Sequence, residues 1–157
     1  MNARKVAMIA AVLSVGLFTL EETALAQNGC KQVKGQKIAA FDGVGTTNGT
    51  ITNGGDLNGT SREVFFGGAL PTPDPSTITF TADLTITTNH GELRASNVYL
   101  ANFPAGIGTV LGRINPATST GKFAGATGVL YAATRVTSVS PQTTFQEEIT
   151  GEICFAK

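Results

Sequence analysis

Thr77 to Thr87 reads T-I-T-F-T-A-D-L-T-I-T, with Ile78, Phe80, Ala82, Leu84 and Ile86 alternating against Thr77, Thr79, Thr81, Asp83, Thr85 and Thr87. On a helix the five apolar residues would scatter around the whole circumference. On a strand they share one face and the six polar residues share the other. Eleven residues is long enough to cross the wall of a sandwich or barrel. One apolar face and one Thr-rich face mean a core on one side of the sheet and water on the other, which favours antiparallel pairing.

The N-terminal segment has a different character. Arg4 and Lys5 precede an apolar run of 15 residues, Val6 to Leu20, closed by Glu21-Glu22 and followed by Ala24-Leu25-Ala26. The run is short of the ~20 residues a bilayer span needs, and the small residues suit a signal peptidase. Residues 1–26 therefore read as a cleaved secretory signal peptide, with no membrane span after cleavage. Residues 27–157 read as a single β-barrel domain, secreted or periplasmic.

Charge excludes some partners. The chain has 11 basic and 11 acidic residues, with no run of like charge, so it offers no electrostatic footprint for nucleic acid or an anionic surface. Two cysteines, Cys30 and Cys154, stand near opposite ends of the exported segment. One pairing is possible, and a disulfide between them would make the first and last segments neighbours. On the chain-entropy model a loop of that size is worth up to ~4–5 kcal/mol.

Turn signals divide the rest. Asn48-Gly49, Asn53-Gly54-Gly55, Asn58-Gly59, the prolines at 71, 73 and 75, Asn89-His90-Gly91, Phe103-Pro104, Asn115-Pro116 and Pro141 leave strands near 34–42, 45–53, 57–67, 77–88, 92–102, 107–115, 126–139 and 143–156. Eight evenly spaced strands and no sustained helical period indicate an all-β, eight-stranded antiparallel barrel, with a sandwich as the alternative. The Gly-rich stretch from Gly43 to Gly59 reads equally as one bent strand or as loop. In the last strand Phe145, Ile149, Ile153 and Phe155 share one parity and Cys154 the other, so Cys154 faces outward and Glu147 inward. A carboxylate so placed needs a pairing partner, hydrogen bonds or a proton.

Thr120-Gly121-Lys122-Phe123-Ala124-Gly125-Ala126-Thr127-Gly128 brackets an aromatic with glycines, as a tight turn does when it drops a ring into a barrel end. Lys122 lacks a following Ser or Thr, and no helix follows, so this is not a phosphate loop. The segment resembles the G-T-G-x-F-x-G-A-x-G signature of the allene oxide cyclase and dirigent-like barrels, and is most similar to their small secreted bacterial relatives. The Ile86–Leu93 hairpin and the Gly151-Glu152-Ile153-Cys154 ending fit the same pattern, while Ser119 departs from a frequent glycine. The resemblance covers about residues 77–157. It implies a closed barrel with a mostly apolar cavity, often oligomeric, and it transfers no active-site residue.

Catalytic signals are scarce. His90 is the single histidine and sits in a turn signal, which leaves no plausible zinc site and no hydrolytic triad. Nothing in the residues calls for a cofactor. The candidate lumen groups are Glu147, Arg135, Tyr131 and Tyr99, with Arg135 or a tyrosine hydroxyl as the expected partner of Glu147. Glu63 and Arg113 depend on strand phases that the pattern leaves open. Three classes of function follow: a barrel that binds a small hydrophobic molecule, a cyclase or isomerase acting on such a molecule, and a filled structural or adhesive barrel.

Overall fold

A computed structural model describes residues 29–156; the signal-peptide reading of residues 1–26 lies outside them. Eight strands follow one another as β1 (Cys30–Phe41), β2 (Thr46–Thr52), β3 (Gly59–Pro71), β4 (Thr77–Thr88), β5 (Gly91–Asn102), β6 (Ile107–Ile114), β7 (Thr127–Ser138) and β8 (Thr144–Cys154). Each pairs antiparallel with the next, and β1 pairs with β8, so the sheet is a closed barrel. No helix among the described residues is long and apolar enough to cross a membrane.

β4 behaves as its alternation dictates. Ala82, Leu84 and Ile86 are buried, and Asp83 and Thr87 are exposed. The closure is fastened covalently: Cys30 lies directly opposite Cys154 in the β1–β8 ladder, and the two are disulfide-bonded. Asn48-Gly49, a turn or bulge signal inside the expected 45–53 strand, makes no turn and lies within β2. A Cβ on Gly49 would stand 2.6 Å from the carbonyl oxygen of Ile38, so this glycine lets β2 approach β1.

The barrel's two ends differ. One carries the disulfide, the β4–β5 hairpin and two 3-10 turns, Gly55–Leu57 and Gly121–Phe123. These turns lower Leu57 and Phe123 into an aliphatic core with Ile51, Ile86, Leu93, Ile114 and Ile153, and both side chains are fully buried. Gly121 makes the Phe123 turn possible. Its φ is +59°, and a Cβ there would meet the His90 carbonyl oxygen at 2.2 Å. The turn is stitched to the neighbouring hairpin by Lys122 N–H to the His90 carbonyl (2.8 Å) and Thr120 N–H to the Glu92 carbonyl (2.8 Å). Ser119 is buried there; its hydroxyl accepts the Arg94 N–H at 3.0 Å and donates to the Asn115 carbonyl at 2.8 Å. A glycine could make neither bond. We call this the closed end.

The opposite end is ringed by the β1–β2, β3–β4, β5–β6 and β7–β8 connections. Its inward residues include four partly buried phenylalanines, Phe41, Phe65, Phe80 and Phe145, around a small buried cluster of Ala82, Tyr99 and Val110.

Candidate functional site: a charged belt beneath an aromatic mouth

Lys37, Glu63 and Glu147 are the buried charged side chains of the described residues, at 1%, 2% and 5% exposure. All three face the barrel interior. Lys37 on β1 stands opposite Glu147 on β8, and its Nζ lies 3.1 Å from Glu147 Oε2 and 2.7 Å from Glu63 Oε2 on β3. Thr47 on β2 donates its hydroxyl to Glu63 Oε2 at 3.0 Å, and Asn97 on β5 donates Nδ2 to Glu63 Oε1 at 2.8 Å. The Tyr99 hydroxyl donates a short hydrogen bond to the same Oε1. The result is a polar belt across the waist of the barrel.

The two carboxylates are not equivalent. Burial by itself would raise the Glu63 pKa, but the Lys37 charge and the donors from Lys37, Tyr99 and Thr47 outweigh it and hold the group below its ordinary value. Burial also raises Glu147, and there it prevails. Lys37 opposes it, but the negative charge of Glu63 adds to the rise, so Glu147 holds its proton above the ordinary range. Burial pushes Lys37 down, yet the two carboxylates more than offset this and its pKa is raised. Tyr99 is raised well above its ordinary value by burial and then by the charge of Glu63. The belt thus sets one ammonium between a carboxyl held below its ordinary pKa, Glu63, and one held above it, Glu147.

Above the belt lies the aromatic mouth. Phe65 meets Phe41, Phe80 and Tyr99 edge-on at centroid distances of 6.1, 5.4 and 5.6 Å. Phe80 stacks on Tyr99 at 4.7 Å and on Phe103 at 6.4 Å. An open groove of about 330 Å³ lies at this rim between Phe41, Asp42 and Gly43 on one side and Val139, Pro141, Gln142 and Thr143 on the other. The rim is shaped by Asp42, whose Oδ1 accepts the N–H groups of Val44, Gly45 and Thr46 at 2.8, 2.9 and 2.9 Å. Those bonds, Gly45's foremost, lower its pKa to about 2.

The interior brings together Glu147 and Tyr99, both candidates from sequence, and adds Lys37, Glu63, Thr47 and Asn97. It does not bring in the other two candidates. Tyr131 is 52% exposed and Arg135 is exposed as well, both on the outer face of β7, whose inward residues are Leu130, Ala132, Thr134 and Val136. Arg135 pairs with Gln146, not Glu147, in the β7–β8 ladder, so the expected Glu147–Arg135 pair is corrected to Glu147–Lys37. Arg113 also lies outside, on β6, and His90 is exposed in its hairpin turn. Cys30, Glu152 and Cys154 group closely enough to suggest metal ligands, but both sulfurs are joined in the disulfide.

No family model, curated protein or solved structure matches this chain.

Proposed function

We propose that this protein is an exported β-barrel that binds a small hydrophobic molecule at its aromatic end. The asymmetry of the core carries this reading. The closed end is plugged by the fully buried Leu57 and Phe123, whereas the other end leaves four inward phenylalanines partly open to solvent, one of which, Phe41, lines a groove of about 330 Å³. That volume lies at the low end of the range for small-molecule sites, and Phe41, Val139 and Pro141 supply its apolar wall. The disulfide and the residue pattern of 1–26 support a location outside the cytoplasm. The glycine-bracketed Phe123 turn supports kinship with the allene oxide cyclase and dirigent-like barrels.

Native mass spectrometry of protein purified without detergent, before and after addition of decanol, tests the reading. A retained ligand or saturable decanol uptake supports it; an empty barrel that takes up no decanol overturns it. A filled, non-binding barrel is the second reading, favoured by the almost complete burial of Lys37 and Glu63 at the waist.

A further inference from the structure

Resting on that reading, we propose that the molecule taken at the aromatic end is a hydrophobic organic cation, an amine or quaternary ammonium with an apolar tail, and that its head points down the barrel toward Glu147.

The charge of the interior argues for it. Beneath the mouth lie two carboxyls and one ammonium, and the Lys37 ammonium is held by both carboxylates at 2.7 and 3.1 Å. No second buried cation exists among the described residues to receive an anionic head. Lys34, Arg62, Arg94, Arg113 and Arg135 all project from the outer wall. With both carboxyls ionised the belt carries one uncompensated negative charge, under a dielectric far below that of water.

Two further observations point the same way. The walls over the belt are ring faces and edges of Phe41, Phe65, Phe80 and Tyr99, the surface that attracts an organic cation through the ring quadrupole. Asn97, 4% exposed, donates its amide to Glu63 while its own Oδ1 is buried with no hydrogen-bond partner. An orphaned acceptor beside the belt asks for a donor, which the protonated-amine form of such a cation supplies and a carboxylate does not.

Proton linkage follows. Glu147 is flanked by Lys37 on β1 and Thr134 on β7 and interacts electrostatically with Glu63 on β3 and Tyr99 on β5; the inward residues of β2, β4 and β6 carry no titratable side chain. Lys37 and Tyr99 are displaced upward and Glu63 downward, so Glu147 is the belt group that titrates between them. Entry of a cation favours its ionised form and releases a proton.

The experiment is a calorimetric titration of the mature protein with three chain-matched probes below their micelle concentrations: decyltrimethylammonium, decanol and decanoate. The expected result is decyltrimethylammonium binding at least ~10-fold tighter than decanoate. Its affinity should rise as pH increases above 4.5, the ordinary value from which Glu147 is raised, because ionised Glu147 attracts the cation. Glu147→Gln should remove that pH dependence; if this variant misfolds, the wild-type probe series still decides. Decanol binding with decanoate equal to or tighter than the ammonium overturns the cation proposal and leaves the binding reading intact. Failure of all three probes to bind overturns both.

Discussion

At the closed end Leu57 and Phe123 are inserted by 3-10 turns and lose all contact with water, while at the aromatic end Phe41, Phe65 and Phe80 point inward along the same strands and keep some of it. Strand geometry does not cause the difference. The connections do: the β2–β3 and β6–β7 links are long enough to fold back over the barrel, and they are tied to one another where Lys122 Nζ reaches Asp56 Oδ1 at 2.7 Å. None of the four connections at the other end contains a 3-10 turn that inserts a plug. A barrel open at one end keeps apolar surface exposed, at a cost in stability, and ligand binding is a physical reason to accept that cost.

The contrast can be broken at the belt dividing the two regions. Lys37→Met leaves Glu63 and Glu147 buried without their cation, and the expected loss is about 3–5 kcal/mol in urea-induced unfolding. A loss below about 1 kcal/mol would show that water already reaches the carboxylates. The ends themselves come next. Phe123→Ala should cost roughly 3–5 kcal/mol as a fully buried aromatic, and Phe80→Ala roughly 1–2 kcal/mol because part of its surface already meets solvent. Equal losses would erase the distinction between the ends.

The smallest effect is the most specific. Glu63 has a lowered folded pKa, so its contribution to stability is present above its ordinary value of 4.5 and is lost as pH falls through the folded value. Glu147 has a raised folded pKa, so its contribution is present below 4.5 and is lost as pH rises through the folded value. Glu63→Gln should therefore flatten the acid limb of a stability–pH curve, and Glu147→Gln the decline above pH 4.5. The same limb flattening in both variants would mean that the carboxyls are equivalent.

Much of this architecture was legible in residue order. The alternation in β4 and the breakers between strands indicated eight antiparallel strands, and the glycines around Phe123 indicated a plug. The parity of Phe145, Ile149 and Ile153 placed Glu147 inside. Its partner was hidden for a definable reason. In β1 the outward parity includes Ile38 and Ala40, so the strand has no clean apolar face, and Lys37 did not stand out as an inward charge between Gly35 and Ala39. β3 conceals Glu63 similarly, because Phe65 points inward and Phe66 outward. In β7 the large residues Val129 and Tyr131 sit on the outer wall and the small Ala132 faces in, which reverses the usual guide and misplaced Tyr131 and Arg135. The register of β1 against β8 is the information that a pattern confined to one strand lacks.

The claim that one end of this barrel receives a ligand and the other only closes it is tested most directly by amide and side-chain NMR during a decanol titration. The account predicts saturable shifts at Phe41, Phe65, Phe80, Tyr99 and Glu147, with Leu57, Phe123 and Ile153 unmoved. Shifts confined to the outer wall or the closed end, or none at all, would contradict it.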